Sequence, residues 1–264
     1  MHFSNFSYLT NRLQEAGFGQ DLNEALQNTL VDQPSSFELP YRVNFGKQVL
    51  EIKLFVRKWK EADQAKVNLY YIQKFHVSLS RENRIDPIEQ DFYFGNTNPS
   101  VTIQQAYNLL CGRAVYRENM SNKDRVTYNA WVQLDLNQTD SKGNYKWQYY
   151  TDNYGYDVAA ELMKYPIIGL TVPTAADALV SALQQGYREA VTMLVGGKEQ
   201  SYFIEALPRF KSLIIYDASE NPITREARMA LIYPPGPTDP APPAPAVEPA
   251  PENEKPKRRR IPIK

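Results

Sequence analysis

Residues 37–56 read FELPYRVNFGKQVLEIKLFV. Phe37, Leu39, Tyr41, Val43 and Phe45 alternate with mostly polar residues as far as Gly46, and Leu50, Ile52, Leu54 and Val56 take up the same period beyond it. A period of two sends successive side chains to opposite faces, so this stretch predicts a β-hairpin with one buried face and a turn at the glycine. Further strands follow in NLYYIQKFHVSLS and EQDFYF. Ahead of the hairpin the period is helical: Leu9, Leu13 and Ala16, then Leu22, Leu26 and Leu30, with Gly17 and Gly19 between the two runs.

A second cycle begins near Thr102. TIQQAYNLLCGRAVYRE reads as a helix that stops at Gly112 and passes into a strand. TYNAWVQLDL and NYKWQYY then form a hairpin around DSKGN. A short helix over about Asp157–Lys164 ends before Pro166, and a third cycle of helix, strand, Gly196-Gly197 turn and strand leads to SLIIYD. Both later helices close on Leu-x-x-Gly followed within two residues by arginine, at Leu109 to Gly112 and Leu183 to Gly186, which suggests a repeated helix-plus-meander unit. A last helical run, TREARMALI, reaches Tyr233. Antiparallel meanders separated by single helices give an α+β chain rather than a doubly wound parallel sheet. The expected division is 1–98, then 99–233 continuous with it, then a tail over 234–264.

That tail holds more than half of the chain's 19 prolines. Its composition predicts an extended, disordered spacer with a basic tip formed by Lys255, Lys257, Arg258, Arg259, Arg260 and Lys264. The formal net charge is zero, so any attraction to a phosphate backbone must be local to that tip. The tip serves either as a nucleic-acid contact or only as a solubilising end.

Few residues offer chemistry. A single cysteine, Cys111, excludes an internal disulfide and a multi-cysteine zinc site. His76 in FHVSLS has the His-x-Ser spacing of one half of a two-histidine phosphoesterase motif, but the second half is absent, and alternation places His76 outward with Lys74 and Ser78. Glu51 and Lys53 share one strand face, as in a divalent-metal nuclease with Asp32 upstream; the same spacing is ordinary on any half-exposed strand. Asp135, Asn137 and Asp140 resemble a calcium loop but lack its spacing. Phosphate-loop, dinucleotide, zincin and nucleophile-elbow motifs are missing, so no cofactor and no metal are expected. Tyr145, Trp147 and Tyr149 lie on one strand face, which suits a stacking or anchoring strip as well as it suits ordinary strand packing. No secretory leader and no apolar run of spanning length is present, so a cytoplasmic protein is expected, without membrane contact.

The stretches GFGQDLNEAL, AYNLLCGRAVYRE, YNAWVQLDL, KGNYKWQYYTDNYGYD, LMKYPI and GKEQSYFIEALPRFKSLIIYDA resemble an uncharacterised family of Bacteroidota proteins. Its genes are often carried on conjugative or mobilisable elements, sometimes beside or fused to topoisomerase-type modules. The resemblance spans about Tyr8 to Ala218. It implies a mobile-element setting and carries no catalytic residues. The functional expectation is a non-enzymatic interaction protein that holds an unidentified protein partner through its α+β body, with accessory nucleic-acid binding by the tip as the alternative.

Overall fold

The computed structural model describes residues 3–59, 69–81, 86–95 and 98–233; the basic tip and the whole of 234–264 lie outside the described residues. The chain is α+β, with three antiparallel sheets among the described residues.

The first sheet is a four-stranded meander, β1 (Ser36–Phe45), β2 (Gln48–Lys58), β3 (Tyr70–Ser80) and β4 (Ile88–Tyr93), in sequence order. The hairpin register runs from Ser36 opposite Arg57 to Phe45 opposite Gln48, so Gly46 and Lys47 make the turn. Along β2, Leu50, Ile52, Leu54 and Val56 are buried while Glu51 and Lys53 are exposed, as the period requires. Helices α1 (Phe3–Glu15) and α2 (Asn23–Val31) bury Leu9, Leu13, Leu26 and Leu30 in the same core as the sheet's inner face.

Helix α3 (Ile103–Leu110) starts on a full capping box, with Thr102 accepting from the Gln105 backbone and Gln105 reaching back to the Thr102 backbone. It leads into the middle sheet of β5 (Val115–Ser121), β6 (Thr127–Thr139) and β7 (Tyr145–Thr151). After α4 (Val158–Leu162), helix α5 (Pro173–Gln184) leads into the third sheet, in which β9 (Lys198–Leu207) lies between β8 (Glu189–Val195) and β10 (Ser212–Tyr216); α6 (Arg225–Ile232) follows.

The middle of β6 is buried on both faces. Ala130, Val132 and Leu134 join the first core, whereas Trp131 between them joins a second core with Leu183, Met193, Ile204 and Ile215. Apolar packing therefore runs across the expected boundary at residue 98, because the first core draws on residues from Leu9 to Leu134. Side chains pin the first two sheets together: Tyr145 N–H donates to Gln90 Oε1 at 2.7 Å and Asp91 N–H to Asn144 Oδ1 at 2.8 Å. Gln90 is fully buried, so this bond also satisfies a polar group that water cannot reach.

The helix ends repeat more fully than the sequence suggests. Arg113 N–H bonds to Asn108 O and Tyr187 N–H to Ala182 O, each closing a Schellman turn around a glycine at φ +80° and +83°. Helix α1 does the same, Phe18 N–H to Leu13 O around Gly17 at φ +85°. Three helices are thus terminated by one device.

Candidate functional site

The outer face of the first sheet carries the residues with recognisable chemistry. Pairing places Lys53 opposite His76 and His76 opposite Asp91. The Asp91 carboxylate accepts from Lys74 Nζ at 2.6 Å and lies 3.0 Å from His76 Nδ1; His76 Nε2 is 3.9 Å from Glu89. Burial works against ionisation of Asp91, but the bonds and charges of Lys74 and His76 together outweigh it and hold the carboxyl below its usual value. A depressed pKa adds stability above the unfolded value, near 3.8, and that stability is lost as pH falls through the folded value. Asp91→Asn should therefore cost about 1 kcal/mol at pH 7, after allowance for the solvent at this face, and less at pH 3. Urea midpoints of both proteins at the two pH values check this.

His76 is half-buried and held by a carboxylate rather than simply solvent-facing. Glu51 and Lys53 lie on the same outer face, exposed, while Asp32 caps the end of α2. Among the described residues no group of three or more His, Cys, Asp or Glu could hold a metal ion. Asp140 accepts from Lys142 N–H and Asn144 N–H and so shapes the hairpin turn. Cys111 ends α3 half-buried, its Sγ 3.8 Å from Gln48 Oε1.

The aromatic strip on β7 divides. Tyr145 and Trp147 pack against the first core, and Trp147 meets Phe92 edge-on at 5.9 Å between ring centroids. Tyr149 alone of the three is exposed. Two members of the strip therefore join sheets to each other, which leaves one ring facing outward.

A different aromatic surface lies between α1 and the start of β3. A groove of about 390 Å³ is lined by Tyr8, Arg12, Trp59, Leu69, Tyr71 and Phe94, among others. Asn5 fixes its floor like a strand partner, donating to Tyr70 O at 3.0 Å and accepting from Tyr70 N–H at 2.9 Å. Trp59 meets Tyr71 edge-on at 5.4 Å, and Arg12 lies 5.6 Å over the Phe94 ring while donating to Gly95 O and Ser100 Oγ. Tyr8, Trp59 and Leu69 remain 45%, 43% and 38% exposed, a concentration of large apolar side chains at one open site. The residues come from three distant segments. The only trace in the sequence is that Tyr8 stands beside the Leu9, Leu13 and Ala16 stripe without being part of it.

Comparison with known proteins finds no matching family model, no matching curated protein and no matching solved structure. No helix among the described residues is long and apolar enough to cross a membrane.

Proposed function

We propose that this chain is a non-enzymatic interaction protein whose body binds a proline-rich, extended segment of a protein partner in the groove between α1 and β3. The carrying observation is the cluster of rings around one open recess, Tyr8 and Trp59 exposed and Tyr71 half-buried. Polyproline segments dock on aromatic grooves because their pre-set, extended backbone loses little entropy on binding while flat rings pack the prolines. The mobile-element setting that the sequence resembles belongs to the same proposal.

The test is titration of the full chain with a synthetic proline-rich peptide, followed by tryptophan emission and calorimetry. Tyr8→Ala and Trp59→Ala should each weaken binding about tenfold or more, as aromatic anchors do. Unchanged affinity in both variants would sink the groove reading. Tighter binding by a chain ending at Tyr233 would show instead that the groove's occupant is the chain's own proline-rich segment.

The six cations of the tip favour a second reading, accessory nucleic-acid binding through Lys255, Lys257, Arg258, Arg259, Arg260 and Lys264. Five or so phosphate contacts would make log K fall with log salt at a slope of about −4 to −5 on duplex DNA. Binding should vanish in a chain ending at Tyr233; binding kept by the shortened chain would direct attention to Tyr149 on the body.

A further inference from the structure

A second cavity, of about 480 Å³, lies where the end of α1, the start of α3, strand β5 and the end of α5 meet. Its walls are polar: Ser100, Thr102 and Gln105 on one side, Ser181 and Gln184 on the other, and Arg117 from β5. Gln105 Nε2 donates to Gln185 Oε1 at 3.0 Å, which ties the two helices across it. The strand is bulged here. Its register shifts between Arg117 and Met120, and Asn119 takes φ +55° with its N–H bonded to Asn129 Oδ1. Bulges re-aim side chains, and both Arg117 and Met120 end up buried.

Arg117 is the unusual member. It is 8% exposed, yet among the described residues it has no ion-pair partner; Nη2 donates to Pro99 O, and Nη1 is buried with no described acceptor. Burial works against its charge, and the groups that act on that charge are the phenols of Tyr149 and Tyr128 rather than a carboxylate. Guanidinium stays protonated in proteins, so the site holds a desolvated positive charge without a counter-charge among the described residues. Arrangements of that kind are costly unless something supplies the missing acceptor. At the cavity's edge, Glu15 is already paired with Arg12 at 3.2 Å, and Glu118 is exposed. Both carboxylates also line the cavity and oppose any anion, a polyanion most strongly.

We propose that this cavity binds a small ligand bearing a single oxyanion group, a carboxylate or a phosphate, whose oxygens accept from the Arg117 guanidinium while its polar body meets Ser181 and Gln184. The site is separate from the aromatic groove and stands whether or not that groove holds a peptide.

The experiment uses the full chain at constant ionic strength, titrated through the millimolar range with inorganic phosphate and, in a parallel arm, with acetate. Thermal unfolding and calorimetry are the readouts. One of the two anions should raise Tm saturably with one site per chain, and which one does so identifies the source of the oxyanion. Arg117→Met should abolish that rise while keeping or raising the ligand-free Tm, because it removes an unpaired buried charge. Arg117→Lys should weaken binding about tenfold, since an ammonium lacks the planar fork. Ser181→Glu, on the exposed opposite wall, should weaken binding several-fold with ligand-free Tm unchanged, which separates ligand loss from misfolding. No saturable shift with either anion, or a shift that survives both Arg117→Met and Ser181→Glu, overturns the proposal.

Discussion

Gly186→Ala is expected to destabilise the protein by about 2–5 kcal/mol. Two costs combine. Gly186 sits at φ +83°, where a side chain costs about 1–2 kcal/mol. The added Cβ would also lie 2.9 Å from Ala114 O and 3.0 Å from both Asn108 Cβ and Val115 Cγ2. Backbone oxygen cannot swing aside, so β5 itself must shift, and overpacking of this kind adds about 1–3 kcal/mol. Gly143→Ala separates the terms, because Gly143 has φ +84° and nothing within 4 Å. It should cost only about 1–2 kcal/mol. Chemical denaturation of the two variants measures the difference, and equal losses would mean that the close approach at Gly186 is relieved at no cost.

The size of that effect comes from the groups that meet at Gly186. Asn108 Nδ2 donates to Gln185 O at 2.7 Å, and Arg113 Nη1 donates to Asn108 Oδ1 at 3.1 Å. The end of one helix-plus-meander unit is thus packed on the end of the next. The sequence shows both glycines and both arginines but gives no sign that the two motifs touch, since contact depends on how the sheets stack. The same limit applies to β6. Its run of Ala130, Trp131 and Val132 has no alternation to read, because each face is buried in a different core. Where one face meets water, as in β2, the period alone is enough to assign every side chain. Tyr145 and Trp147 read as a candidate binding strip because nothing near them in sequence announces Phe92 on the other sheet. Arg117 is hidden in the sequence for a third reason: a bulge breaks the period by which a strand's faces are told apart.

Glu205→Ala should cost about 1.5–3 kcal/mol, the range for losing hydrogen bonds to a buried charged group, because Arg188 is partly exposed and keeps Glu220 at 2.9 Å. Glu205 lies on the central strand of the third sheet, 5% exposed, between two arginines that each follow a helix-ending glycine. Arg188 Nε donates to it at 2.6 Å, Arg113 Nε stands 3.8 Å away, and Tyr216 O–H donates at 2.9 Å. Arg188 also covers the Tyr216 ring at 4.0 Å, so the carboxylate, the cation and the phenol form one network. Glu205→Gln keeps the shape and an acceptor, and should lose less. Its second readout is Tyr216, whose hydroxyl is pushed up to about 12 by burial first, then by the charge and hydrogen bond of Glu205. A raised folded pKa gives stability that is complete below the unfolded value of 10 and disappears as pH rises through 12. The wild type should therefore lose stability between those limits, and Glu205→Gln should lose less of it while one tyrosine moves to an earlier ionisation in an ultraviolet titration. Tyrosinate curves that coincide would place Glu205 outside the Tyr216 network, and the repeated glycine–arginine motif would then have to be explained by helix termination alone.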